Sequence, residues 1–331
     1  MQMKHSKEYL IAGIKEGDKR CASLVMSLIE NGSREGEECL KSLGEVTGRS
    51  YRLGMTGWPG VGKSTLTARL ARSFLAQNKD VGIIAIDPTS PFSGGSLLGD
   101  RERMKEIDGD ERLFIRSAAT RGHRGGIANG TQGFIRIMEA MGKTVILLET
   151  VGVGQNQVSV AEVADTVVLA VIPGMGDYLQ SLKAGVLEIG DVFVVNKSDR
   201  EGAARTVNDL KAFINLSCCR NGWKPPVLKT IATIGQGIDE LMSAIGQHQA
   251  YLIQQNLMTA KRESMIKSEI LEIIQSRVVQ HIAGRISLQE RLDEYARQRV
   301  SGPVNPYDAA DEILRDSGII HQTMTKDLRG E

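Results

Sequence analysis

Hydrophobic and polar positions follow two rhythms along this chain, and the rhythm changes twice. Residues 1 to about 48 carry apolar clusters at Leu10/Ile11/Ile14, Leu24/Val25/Leu28/Ile29 and Leu40/Leu43, interrupted by Asn31-Gly32-Ser33. Such clusters predict short helices with one buried face. From about 50 to 245, strand-like runs alternate with helical stretches. Strands are predicted over Tyr51–Thr56, Val81–Asp87, Thr144–Glu149, Thr166–Ile172, Asp191–Val195 and Val227–Ile231. The last five are nearly continuous apolar runs, as expected of strands buried on both faces of a parallel sheet. Between the first two, Leu66, Leu70 and Phe74 recur every fourth residue with Arg69 and Arg72 off the stripe, which predicts an amphipathic helix. Beyond about 246 the pattern is helical again: Ile270, Ile274, Val278 and Ile282 repeat every four residues, and Leu288, Leu292, Tyr295 and Ala296 continue a stripe. Gly302-Pro303 breaks it before a last helix at Tyr307–Arg315. The expected organisation is a helical extension over 1–48, an α/β domain over 49–245 and a second helical extension over 246–331. So long a tail packs on its own core or pairs with another subunit, and the pattern leaves both open.

Charge and composition narrow the class. The 331 residues hold 41 Lys and Arg against 40 Asp and Glu, a formal charge of +1. That balance predicts no nucleic-acid partner and no attraction to an anionic membrane. No apolar run approaches the roughly 20 residues a membrane-spanning helix needs. The first residues lack the apolar stretch of a signal peptide, and Glu8, Glu16 and Asp18 make a poor organelle transit sequence. A cytoplasmic protein is therefore expected. Cys21, Cys39, Cys218 and Cys219 form no Cys-x-x-Cys pair, which favours reduced structural thiols over ligands or disulfides.

The chemistry is concentrated between the first predicted strand and helix. Gly57-Trp58-Pro59-Gly60-Val61-Gly62-Lys63-Ser64, followed by Thr65, fits the phosphate-binding pattern Gly-x4-Gly-Lys-Ser/Thr. Glycines let backbone N–H groups close on phosphate oxygens where a Cβ would intrude, and the helix adds its positive amino end. Lys63 is expected to reach the β- and γ-phosphates, and the Ser64 hydroxyl to ligate Mg²⁺. Asn196-Lys197-Ser198-Asp199 follows the run Asp191–Val195, at a strand's carboxyl end where α/β folds place ligands. Asp199 can accept from both guanine N1–H and the exocyclic amine, for which adenine has no equivalent. Lys197 lays its aliphatic stem on the ring, and Asn196 ties this loop to the phosphate loop. GTP is the expected nucleotide.

Asp87-Pro88-Thr89-Ser90 closes the second strand and leads to Gly94-Gly95-Ser96-Leu97-Leu98-Gly99-Asp100-Arg101. Asp87 and Asp100 are candidate Mg²⁺ or water ligands, or else helix caps. Glu149 ends the run Val145–Leu148, where such folds keep the acid supporting Mg²⁺, and Gly152 follows where an N–H can sense the γ-phosphate. Gly122-His123-Arg124-Gly125-Gly126 is a basic glycine-rich loop in which His123 is a further, weaker candidate.

These residues together resemble the MeaB/ArgK-type GTPases over essentially the whole chain. The specific strings are Glu149-Thr150-Val151-Gly152-Val153-Gly154-Gln155 and Pro173-Gly174-Met175-Gly176-Asp177-Tyr178-Leu179-Gln180, with Lys183, Ile231-Ala232-Thr233, Gly235-Gln236-Gly237 and Asn305-Pro306-Tyr307-Asp308-Ala309-Ala310. The resemblance implies an α/β P-loop NTPase fold of the signal-recognition-particle/MinD/BioD class, with a mainly parallel sheet and helical extensions at both ends. It implies a slow, Mg²⁺-dependent GTPase that binds GTP and GDP. Its expected partner is an adenosylcobalamin-dependent acyl-CoA mutase, usually methylmalonyl-CoA mutase, for which it gates cofactor delivery and protects the enzyme. It implies a homodimer joined through the C-terminal helices, and leaves open whether a cobalamin adenosyltransferase joins. On the same basis Lys63, Asp100 and Glu149 are the catalytic candidates, and Ser64, Asp87, Asp100 and Glu149 surround the metal and attacking water. Asn196, Lys197 and Asp199 read guanine, and Ile231, Ala232 and Thr233 supply backbone contacts to the base. Gly174, Gly176, Asp177, Gln180 and Lys183 form a switch toward the mutase. Asn156-Gln157 stands where the family commonly has Ser-Glu, and Arg124 where an apolar residue is usual. A metal-insertion GTPase of the urease or hydrogenase maturation type would call for a His-rich tail or a Cys/His cluster, and the five histidines are scattered. A transport-linked ATPase or kinase would not need Asp199 beside Asn196-Lys197.

Overall fold

A computed structural model describes residues 6–44, 48–87, 109–119, 128–150, 160–174, 187–217, 222–301 and 305–319. The chain divides into two compact units, Met1–Lys267 and Ser268–Glu331.

The first unit is built on a parallel sheet. Its strands are β1 (Tyr51–Gly57), β2 (Val81–Asp87), β3 (Leu113–Ala119), β4 (Val145–Thr150), β5 (Thr166–Val171), β6 (Val192–Val195) and β7 (Val227–Lys229). They pair in the order β3-β2-β4-β1-β5-β6-β7. Every described pairing is parallel. All strand carboxyl ends therefore lie along one edge, where a doubly wound fold places its ligands.

Alternate residues of each strand feed cores on opposite faces, which explains the unbroken apolar runs. On one face Val145, Leu147, Val168, Ala170, Val192 and Val194 pack with Leu66 and Leu70 of α4 (Lys63–Ala76) and with Leu241 and Ile245 of a later helix. That later helix, Ile238–Gln254, crosses the boundary expected near residue 245. On the other face Ile146, Leu148 and Val167 pack with Phe134 and Ile137 of α5 (Ala128–Ala140). The same cluster takes in Leu10 and Ile14 of α1 (Lys7–Lys15), Val25 and Met26 of α2 (Lys19–Glu30), and Cys39 of α3 (Arg34–Ser42). The amino-terminal helices thus share the core of the α/β domain. Further along that face, Leu169, Val171, Phe193 and Val195 meet Val207, Leu210 and Ile214 of α6 (Ala203–Ser217). The helix Ile238–Gln254 is α7, and α8 (Leu257–Arg285) follows it.

Strand β3 is absent from the sequence expectations, because Arg116 and Ser117 interrupt its apolar run. It lies at the sheet edge, where Arg116 donates to Glu30 Oε2 at 2.8 Å and Ser27 Oγ at 3.0 Å from α2. An edge strand tolerates a charge when a neighbouring helix supplies the counter-charge. At the other edge, β7 ends at Lys229, and Ile231 instead forms an antiparallel bridge with Gln236.

The second unit holds the rest of α8 with α9 (Leu288–Ser301) and α10 (Pro306–Asp316). Asn305 caps α10 through Tyr307 N–H at 3.0 Å, ahead of a first-turn proline. Arg291 of α9 donates to Glu312 at 3.3 Å and to Asp316. Along α8, Ile270 and Ile274 are 52 % exposed and Val278 38 %, whereas Ile282 is buried at 6 %. The four-residue repeat thus has an open stretch and a covered end. No described helix is long and apolar enough to cross a membrane.

Candidate functional site

The phosphate-binding segment leaves β1, which lies between β4 and β5. Gly57 has φ 142°, and a Cβ there would lie 2.2 Å from the Ala170 carbonyl oxygen, so the turn requires glycine. Gly62 caps α4 in the left-handed region at φ 97° with no side chain capping the helix. The first N–H groups of α4 are therefore presented to the loop, the arrangement that holds phosphate. Lys63 is buried, and its Nζ donates to the carbonyls of Gly57 and Trp58, each at 3.0 Å. Its ammonium is thus held inside the cradle. Ser64 Oγ donates to Glu149 Oε1 at 2.5 Å. Glu149 is buried, opposite Met55 of β1 and Ala85 of β2. Beside it, the hydroxyls of Thr150 and Thr56 are 3.3 Å apart. A hydroxyl and a carboxylate brought together at the phosphate edge are hard oxygen donors, which fit Mg²⁺.

The loop after β6 reaches back to this cradle. Buried Asn196 donates from Nδ2 to the Val61 carbonyl at 2.7 Å, while its Oδ1 accepts from Thr230 Oγ1 at 3.0 Å and Ala232 N–H at 3.1 Å. Lys197, left-handed at φ 56°, donates from Nζ to the Gly60 carbonyl at 2.7 Å. Asp199 is exposed at the same end. From α4, Arg69 donates to the carbonyls of Ala232 at 3.0 Å and Thr233 at 2.7 Å.

The sequence-selected residues Gly57 to Thr65, Glu149, Asn196, Lys197, Asp199 and Ile231 to Thr233 thus converge on one sheet edge. Asp87 ends β2 on that edge, and Gly174 follows β5 with φ 85°. Asp100, Gly152, Gly176, Asp177, Gln180 and Lys183 lie outside the described residues, as do His123, Arg124, Asn156 and Gln157. Sequence reasoning missed Thr230 and Arg69. Thr230 directly precedes the chosen Ile231 and stood within reach of inspection. Arg69 reads only as a polar position off a helical stripe, because its partners are carbonyls some 160 residues away.

The solved LAO/AO transport system kinase has a similar fold, with a TM-score of 0.71 at 22% identity over 95% of this chain and 98% of that one. A Pyrococcus abyssi protein is 42% identical over 310 residues, 93% of this chain and 95% of its own length. The mouse methylmalonic aciduria type A homolog, a mitochondrial protein, is 32% identical over 92% of this chain and 78% of its own length. The family model for the methylmalonyl-CoA mutase-associated GTPase MeaB matches residues 20–287, spanning the phosphate cradle, the Asn196–Asp199 loop and the start of the helical tail. With those two loops joined on one edge of a parallel sheet, the chain belongs to the MeaB family and is a GTP-hydrolysing enzyme.

Proposed function

We propose that this chain binds GTP and GDP with Mg²⁺, hydrolyses GTP slowly, and serves as chaperone of an adenosylcobalamin-dependent acyl-CoA mutase. The observation that carries the nucleotide reading is the pair of ties from Asn196 and Lys197 onto the carbonyls of Val61 and Gly60. They set a guanine-reading loop at a fixed distance from a phosphate cradle. In this reading Asp199 accepts from the guanine edge, and Ile231–Thr233 border the base. Lys63 exchanges its two loop carbonyls for phosphate oxygens, placing a charge where it develops in the transition state. Ser64 and Glu149, with Asp87 and Asp100, would hold Mg²⁺, which supplies positive charge against the phosphates when bound.

The mutase partner rests on the family name and on the segment Gly174–Lys183. Gly174, Gly176, Asp177, Gln180 and Lys183 are proposed as the coupling segment, with Gly152 as γ-phosphate sensor. A homodimer through the exposed stripe of α8, a cytoplasmic location and an adenosyltransferase as further partner complete the reading.

The test is GTP and ATP turnover measured side by side, with and without purified methylmalonyl-CoA mutase. A strong preference for GTP and acceleration by the mutase are expected. Asp177→Ala and Lys183→Ala should keep the basal rate and lose the acceleration. Equal turnover of ATP rejects the guanine loop, and a rate indifferent to mutase rejects the partner.

A further inference from the structure

The loop proposed to border the base is anchored at Ala232, which is buried at 2 % in the core shared with α4, and is open at its tip. It leaves β7 at Thr230, turns through Ile231-Ala232-Thr233-Ile234-Gly235-Gln236, and enters α7 at Gly237. Its base is fixed by the Ile231–Gln236 bridge and by Gly237, whose Cβ position lies 2.2 Å from the Lys229 carbonyl oxygen. Its tip is not packed, since Ile234 is 71 % exposed. Between base and tip, the successive carbonyls of Ala232 and Thr233 both accept from the single guanidinium of Arg69. Arg69 lies on α4, whose first residue is Lys63.

We propose that Arg69 is a specificity-positioning residue: it fixes the base-side loop to the phosphate-binding helix and so sets the pocket width in which guanine is discriminated. The inference rests on the guanine reading above and deepens it. A rigid two-pronged donor suits two consecutive carbonyls, which a lysine can engage only one at a time. Asn196 holds the same loop at its base, through Thr230 Oγ1 and the Ala232 N–H, whereas Arg69 is the side chain that ties the carbonyls of Ala232 and Thr233 toward the tip. Without Arg69 the wall beside the base would loosen at Thr233 and the tip while the phosphates keep their cradle.

The experiment is calorimetric binding of GDP, inosine diphosphate and ADP to the full-length protein and its Arg69→Ala and Arg69→Lys variants, with thermal melting of each. Inosine diphosphate keeps the phosphates and lacks the exocyclic amine. The wild type should prefer GDP over both. In Arg69→Ala the preference for GDP over inosine diphosphate should fall by about tenfold, the scale of one or two lost hydrogen bonds. Inosine diphosphate should weaken less than GDP, because its base lacks the amine whose contact depends on the pocket width, and Arg69→Lys should recover only part of the loss. Equal weakening of both nucleotides with a lowered melting temperature would make Arg69 merely structural. An unchanged preference, or full rescue by lysine, would equally overturn the inference. A wild type that binds ADP as tightly as GDP overturns the guanine reading itself, and this inference with it.

Discussion

A carboxylate that reads a base must find its donors unpaired in every competing arrangement. Asp199 stands exposed at the same strand ends as the phosphate loop, and in the proposed reading its carboxylate accepts from guanine. Asp199→Asn keeps the shape and replaces an acceptor by a donor opposed to guanine's own. GTP binding should weaken by about 1–3 kcal/mol, with xanthine nucleotides gaining relative to guanine, as isothermal calorimetry would show. Unchanged GTP affinity would sink the assignment. At the opposite end, Lys63→Ala removes the buried ammonium from the cradle and should abolish phosphate release. Glu149→Gln keeps the size of the group that accepts from Ser64 Oγ and removes its charge, so turnover should fall with nucleotide binding largely kept. Wild-type steady-state turnover in Lys63→Ala would assign the activity to another site.

At the scale of elements, α8 changes character along its length. Near its start, Arg262 donates to the buried Asp165 at 3.2 and 3.0 Å and to the Ser50 carbonyl at 2.8 Å, and Lys261 reaches the Asp165 carbonyl at 2.7 Å. These ties explain why the first unit runs to Lys267 and not to the 245 suggested by the hydrophobic pattern. A truncation near 250 would remove them. Further on, Ile270, Ile274 and Val278 expose an aliphatic row that is costly to leave in water. The proposed dimer makes a direct prediction: Ile270→Glu with Ile274→Glu should turn a dimer into a monomer in light scattering at micromolar concentration, with GDP affinity within about twofold. A wild-type monomer at that concentration would return the row to another use.

Across the whole molecule, the edge opposite the nucleotide loops is held by a buried polar chain. Tyr51 O–H donates to Thr166 Oγ1 at 2.5 Å, Thr166 Oγ1 lies 2.7 Å from His248 Nδ1, and His248 Nε2 faces Asp191 at 3.5 Å. Trp223 packs on the imidazole, and Lys261 approaches Asp191 at 3.8 Å. Burial pushes the His248 pKa below its ordinary 6.5, with Asp191 opposing and Lys261 reinforcing the shift. The unfolded chain therefore binds this proton more readily than the folded one. The contribution to stability is fully present above pH 6.5 and is lost as pH falls from there toward the depressed folded value. Urea unfolding between pH 7.5 and 5 should show a steeper acid loss for the wild type than for His248→Gln. Parallel pH profiles would show that His248 titrates alike in both states.

Much of this protein was legible in its sequence because the signals are local. A phosphate cradle needs glycines, a lysine and a hydroxyl within eight consecutive residues, and buried parallel strands need uninterrupted apolar runs. Those requirements located the core strands and the helix α4, and they singled out two loops that the fold ties together at one sheet edge. Strand β3 stayed hidden because the charge that breaks its pattern is neutralised by Glu30, far away in the chain. Arg69 and His248 stayed hidden for the same reason: each has a role only through backbone or side chains brought to it by folding. The sequence alone determined which chemistry this chain carries, since chemistry resides in residue types and short spacings. Only the tertiary structure decided which residues hold that chemistry in register and where α8 passes from the core to open surface, because these depend on partners distant in the chain.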